Sequence, residues 1–195
     1  GTGIRTSLPA IVADEMEADW SRVTIQQALA SKELYGDQNT DASYSMRMFF
    51  MPMRKLGASI RIMLELAASR KWNVDVHECK AAQHKVMHLP SNRSFNFGEL
   101  VEEASKLDVP DQSLIVLKSK NDFSRIGKDT SITDLKDIIT GKAVFGLDTI
   151  LPDAKVAVMK RCPVAGGKII SYNADAALKI PGVLSIFTLD SPGFP

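Results

Sequence analysis

The chain has 195 residues, of which 45% are hydrophobic and 24% charged, with 24 basic against 23 acidic side chains and a formal net charge of +1. Such a composition belongs to a globular chain with enough residues for one large domain or two small ones, and it excludes charge-driven disorder. The charge balance gives no electrostatic basis for nucleic acid or an anionic membrane surface, and the longest apolar runs, 49–53 and 155–159, are far shorter than the ~20 residues of a bilayer span.

The first element expected is a helix over about 7–18. Thr6 or Ser7 can cap it, Pro9 suits a first turn, and Leu8, Ile11, Val12 and Met16 fall on one face. Val23 and Ile25 alternate with Thr24 and Gln26, the pattern of a short half-buried strand. A polar loop over 35–41 then leads through 42–45 into the longest helical pattern. Leu56, Ile60, Met63, Leu64 and Ala67 line one face of it, Gly57 and Ala58 permit a close neighbour, and Pro52 marks either a kink or a first turn.

A strand is expected at 85–88, followed by a helix over 97–107 that Ser94 or Asn96 can cap. From 108 to 140 the periodicity fades between Pro110, Gly127 and Gly141, as in a connector crossing a surface with only short elements. Strands at 155–160, 168–171 and 183–187 around a short helix at 174–178 form a β-β-α-β pattern with the character of a separate domain.

Several constellations bear on chemistry. Gly1, Thr2 and Gly3 precede a helix, whose unpaired first-turn N–H groups and dipole favour an anion. The dinucleotide version of this motif needs a preceding strand, a third glycine and a later acidic residue; position 6 is Thr, and Gln26 and Gln27 follow the next expected strand. Thr40, Asp41, Ala42, Ser43 and Ser45 lead into the second long helix and offer hydroxyl and backbone donors to a phosphate or polar heterocycle. Taken singly each run reads as a helix cap; together they make two helix starts able to converge on one anion.

His84 and His88 have helical metal-pair spacing, but Val86 and Met87 between them read as strand, so ordinary loop and hairpin histidines are the better account. The run 163–168 lacks Walker spacing and reads as a turn, and no G-x-S-x-G elbow is present. Cys79 and Cys162 form no C-x-x-C pair and are expected as buried structural thiols. No metal ligand and no catalytic residue is assigned.

The stretch GTGIRTSLPAIVADEMEADWSRV resembles G-Q-G-I-x-T-S-L-P-x-x-x-A-E-E-L-x-A-D-W-S-x-V of the molybdenum-cofactor subunit of the xanthine oxidase and aldehyde oxidase family. YGDQNTDASYSMRMFFMPMRKLGASIRIML is similar to the corresponding segment of its isoquinoline 1-oxidoreductase large-subunit branch, and NFGELVEEA, LKSKNDFSRIGK and the stretch from GKAVFGLDTILPDAK onward follow in the family's order. The last of these resembles an α/β hammerhead domain.

The resemblance implies an α+β fold: part of a molybdopterin-binding domain over 1–110, a connector over 111–139 and the start of an α/β hammerhead domain over 140–195. It implies an oxidoreductase that hydroxylates aldehydes or N-heteroaromatic carbons with oxygen from water. The cofactor is molybdopterin, and the partner is a small subunit with two [2Fe–2S] clusters. Carried over by position, the cofactor contacts fall on Gly1, Thr2 and Gly3, and on Thr40, Asp41, Ala42, Ser43 and Ser45. Backbone N–H groups and hydroxyls there would meet the pterin and its phosphate arm.

Thr2 stands where the family has Gln, and Asp41 where it has a small neutral residue. Both favour the alternative of a non-catalytic interaction or scaffold module. A nicotinamide-dependent dehydrogenase built on residues 1–3 is a third reading. The family's glycine-rich loop and catalytic Glu have no counterpart here, so the chain is expected to be an internal piece of a larger subunit, inactive alone, whose partners include the rest of that subunit. The branch points to a periplasmic or membrane-associated setting in a bacterium. No basic-then-apolar leader opens the sequence, so a targeting signal is expected to be absent or to lie ahead of residue 1.

Overall fold

The computed structural model describes residues 2–164 and 166–189. They divide into two compact units, Gly1–Ala143 and Val144–Pro195. Helices and a small sheet make the first unit an α+β structure, as the sequence implied.

Helix α1 spans Ile4–Glu15, three residues earlier than expected, because Gly3 adopts φ 72° and turns the chain directly into it. Pro9 therefore lies inside the helix, where its ring removes one backbone donor. The strand expected near 23–26 does not form. Val23 and Ile25 are half-buried and their neighbours exposed, so the alternation is real, but no strand pairs with them among the described residues. After the single turn α2 (Lys32–Tyr35), helix α3 runs through Tyr44–Trp72 with Pro52 inside it.

Helices α1 and α3 pack closely through small residues: Ala10 and Ala13 on one, Gly57, Ala58 and Ser59 on the other. A Cβ on Gly57 would lie 2.6 Å from the Val12 carbonyl oxygen and 2.8 Å from Glu15 Cβ. Further along, Met16 and Ala18 pack on the cluster that contains Leu64, and the His84 N–H donates to the Glu17 carbonyl beside the sheet that Glu65 reaches. Moving from Val12 to Glu17 thus follows α3 from Gly57 toward Glu65. Along this contact the two helices run in the same general direction.

Strands β1 (Cys79–Ala82), β2 (Lys85–His88) and β3 (Ser94–Asn96) form an antiparallel sheet in that order. The β1–β2 turn places Gln83 and His84 at φ 49° and 66°, a two-residue hairpin without glycine. Bonds from outside hold it: besides the His84 N–H bond, the Asp19 N–H donates to His84 Nδ1 at 3.3 Å. At the far end of β2, buried His88 lies between Ser91 Oγ (2.6 Å from Nδ1) and Glu78 Oε2 (3.1 Å from Nε2), tying both hairpin ends together.

Helix α4 (Phe97–Ala104) starts at Asn96, whose N–H and Nδ2 both donate to Glu99, and buries Phe97, Leu100 and Ala104 at helical spacing. These three meet Leu64, Ala67 and Ala68 of α3 and Cys79, Ala81 and Val86 of the sheet in the main apolar core. Leu56, expected on the buried face, is 49% exposed, because that face of α3 turns away from α1.

The segment after α4 is bound tightly to α1. Asp14, fully buried, accepts from Lys118 Nζ (2.7 Å), from the Ser124 N–H and Oγ, and from the N–H groups of Arg125 (2.8 Å) and Ile126 (2.7 Å). Glu15, equally buried, takes Arg54 at 2.6 Å, Arg61 at 3.5 Å and the Lys118 N–H at 3.1 Å. Lys118 also pairs with Glu17 at 2.6 Å. Charges removed from water this completely persist only when paired and hydrogen-bonded, and these are. A short helix, α5 (Leu135–Ile139), closes the unit.

In the second unit the expected helix is present as α6 (Asp175–Leu178), but the three strands expected at 155–160, 168–171 and 183–187 are not. A strand needs a neighbour for its N–H and C=O groups, and the described residues supply none; Val156 and Val158 are 95% and 94% exposed. Cys162, expected buried, is exposed, whereas Cys79 is buried. No helix among the described residues is long and apolar enough to cross a membrane.

Candidate functional site

The two runs singled out in the sequence become the starts of α1 and α3. Gly3 is the N-cap of α1 at φ 72°, and Thr2 beside it is exposed; Gly1 lies outside the described residues. Ala42 and Ser43 take φ 37° and 58°, and Ser43 is the N-cap of α3. Left-handed backbone at non-glycine residues costs conformational energy, which the fold commits at this point of the chain.

Neither N-cap side chain accepts a bond from its helix, and neither first turn contains an acidic residue. The contrast with the other helices is direct. α2 is capped by Ser31 and carries Glu33, α4 has Glu99 on its own N-cap, and α5 and α6 place Asp137 and Asp175 in their first turns. The first turns of the two long helices therefore hold no acidic side chain, although Asp41 stands just before α3 and Asp134 faces Arg5 at the start of α1, and their unpaired backbone donors can take a phosphate-bearing group.

The remaining residues have distinct surroundings. Ser45 is buried; its hydroxyl donates to the Asn39 carbonyl at 3.0 Å and lies 3.1 Å from Thr40 Oγ1, so it braces the loop from within. Thr40 is exposed beside it. The exposed Asp41 carboxylate accepts from Asn39 Nδ2 at 3.1 Å, which turns part of its charge back into the loop.

The 132–134 segment reaches the start of α1, and nothing in the sequence signalled it. The Thr133 N–H donates to Thr6 Oγ1 at 2.9 Å, Ile132 Cγ2 would contact a Cβ on Gly3 at 3.7 Å, and Arg5 faces Asp134 at 3.9 Å. Thr6 thus anchors a distant segment where the sequence offered it as a cap. No cluster of three or more His, Cys, Asp or Glu side chains suited to a metal occurs among the described residues.

Comparison with known proteins places the same stretch in a family. Residues 1–130 match the family model of the molybdopterin cofactor-binding domain. The chain is 30% identical to the beta subunit of isoquinoline 1-oxidoreductase from Brevundimonas diminuta, over 97% of this chain and 29% of that protein. It is 27% identical to the membrane-bound aldehyde dehydrogenase [pyrroloquinoline-quinone] of Gluconacetobacter polyoxogenes, over 98% of this chain and 25% of that one. To a nicotinate dehydrogenase subunit of Pseudomonas putida the identity is 26%, over 97% of this chain and 16% of the relative. The chain thus spans less than a third of the length of these relatives.

Proposed function

The chain belongs to the molybdopterin cofactor-binding domain family, and on that premise we propose that the paired starts of α1 and α3 hold the pterin and its phosphate arm. The supporting observation is that both helix N-termini have neither a side-chain cap nor an acidic first turn. Backbone N–H groups around Gly3 and Ser43 donate to the anion, and the Thr2 and Thr40 hydroxyls stand at its edge. Ser45 positions the second run by holding Asn39 and Thr40.

When bound, the cofactor supplies hydroxylation of an aldehyde or N-heteroaromatic carbon, the chemistry that the family resemblance implies. This chain contributes binding and orientation, and we assign none of its residues to proton transfer. In this reading it forms part of a larger oxidoreductase subunit and does not turn over substrate alone. Residues 1–110 belong to the cofactor domain, 111–139 connect, and 140–195 begin an α/β hammerhead whose exposed apolar segments pair with strands elsewhere in the subunit. A small [2Fe–2S] subunit receives the electrons, in a periplasmic or membrane-associated setting. The names of the relatives support both aldehydes and N-heterocycles as substrate classes.

The Asp41 carboxylate at the start of α3 supports a second reading, in which the fold persists as a scaffold without cofactor. One substitution pair separates the two. Arg5→Gln removes a cation beside the start of α1 without setting a second carboxylate against Asp134, and Arg47→Glu places a carboxylate in the first turn of α3, where it stabilises that helix by about 0.3–1 kcal/mol while repelling a phosphate. Molybdenum and pterin in the purified protein should fall at least tenfold with the melting temperature held or raised. Cofactor content that is zero before substitution, or unchanged after it, sinks the cofactor reading.

A further inference from the structure

Glycine brings no side chain to cap a helix, and it loses more conformational freedom than any other residue when fixed in one backbone state. The turn at Gly3, with φ 72°, therefore needs support from elsewhere. Part of it is local: the Gly3 carbonyl accepts the N–H groups of Thr6 and Ser7, both at 3.0 Å, and the Ser7 hydroxyl at 3.1 Å. The rest comes from residues 132–134. Ile132 Cγ2 lies 3.7 Å from where a Cβ on Gly3 would stand. The Thr133 N–H donates to Thr6 Oγ1 at 2.9 Å, and the hydroxyls of Thr6 and Thr133 lie 3.1 Å apart.

These ties differ in weight. The Arg5–Asp134 pair, 3.9 Å apart with side chains 47% and 31% exposed, is solvated and contributes little. Thr6 is only 4% exposed, and a buried hydroxyl that accepts one bond and shares another holds its neighbours more firmly. Thr6 also closes the first turn of α1 through its own N–H on the Gly3 carbonyl. One residue thus links a segment 127 positions away to the turn whose remaining N–H groups have no intrahelical partner. The family match ends at residue 130, so the outer half of this brace lies beyond the matched stretch.

We propose that residues 132–134 are a positioning element for the anion site at the start of α1, acting through the Thr6 hydroxyl to keep the first-turn N–H groups in the orientation that receives a phosphate. Donors fixed before binding lose no further freedom when the anion arrives, so the brace acts on affinity. The inference rests on the cofactor reading, and it gives Ile132, Thr133 and Asp134 no contact with the cofactor.

Thr6→Val removes the acceptor while keeping the shape, and Thr6→Ser returns the hydroxyl. Both are compared with the parent well below their melting temperatures. In Thr6→Val the amides of residues 6 and 7 should exchange hydrogen about tenfold faster and the molybdenum and pterin content should fall about tenfold, with both restored to within about twofold by Thr6→Ser. Ile132→Ala, which loosens the other arm of the brace without touching Thr6, should move both readouts the same way. Arg47→Glu, at the start of α3, should lower the cofactor content and leave the exchange of residues 6 and 7 as in the parent. In a loaded parent, cofactor content unchanged by both Thr6→Val and Ile132→Ala overturns the positioning role alone, and so does a Thr6→Ser protein as deficient as Thr6→Val. A parent without cofactor removes the anion site itself, and this inference with it.

Discussion

Asp14 shows how one side chain can set the conformation of a distant segment. Burial raises its pKa, but the bond from Lys118 and those from the N–H groups of Ile126, Arg125 and Ser124 more than reverse this, and the net shift is downward. A carboxylate with a lowered folded pKa contributes stability that is complete above its unfolded value, about 3.9, and is lost as pH falls through the folded value. Asp14→Asn turns an amide donor toward backbone donors and leaves Glu17 as the only carboxylate on Lys118, beside the carbonyl of residue 14. The variant should lose about 3 kcal/mol at pH 7. In denaturant titrations the gap from the unsubstituted protein should narrow below about pH 4; a constant gap would mean that the charge is not what stabilises the native state. None of this was legible in the sequence, where Asp14 is one acidic residue of a helix and its partners lie in a stretch without periodicity.

At the scale of elements, the α1–α3 contact is decided at Gly57. Replacing a mid-helix glycine with alanine ordinarily gains up to about 1 kcal/mol. Here the added Cβ would meet the Val12 carbonyl oxygen and Glu15 Cβ, both on the neighbouring helix and unable to rotate away. Gly57→Ala should therefore destabilise the protein by about 1–3 kcal/mol, whereas Gly98→Ala in α4, with no atom within 4 Å of the new Cβ, should be neutral or stabilising. Thermal melting of the two variants checks the contrast, and a Gly57→Ala protein as stable as its parent would refute the close approach. Gly57 and Ala58 did announce a close neighbour in the sequence, and Asn96 announced the start of α4. Strand β2 and the hairpin setting of its histidines were legible, but strand β1 was not, because Gln83 and His84 lack turn chemistry; bonds to Asp19 and Glu17, remote in sequence, hold the turn instead. In the second unit the apolar alternation was legible, but a strand is a relation between two segments, and alternation reveals only one of them.

For the whole molecule, sequence and structure inform at different ranges. The two candidate runs and their order were readable because each is local, and the family resemblance rested on the same local stretches. That the helices they start pack against each other is a tertiary fact, which no local motif records. The buried ionic cluster has a similar character, and its consequence is one of timing. The bonds from Asp14 to Lys118, Ser124, Arg125 and Ile126 join residues 104 to 112 positions apart, so each requires closure of a long loop before it returns any energy. The core of α3, α4 and the three-stranded sheet involves much shorter separations and can condense first. Asp14→Asn should therefore accelerate unfolding while leaving the refolding rate nearly unchanged in stopped-flow experiments; slowed refolding would place the cluster in the folding nucleus. On this account the 116–126 strap is the last part of the first unit to dock and the first to leave.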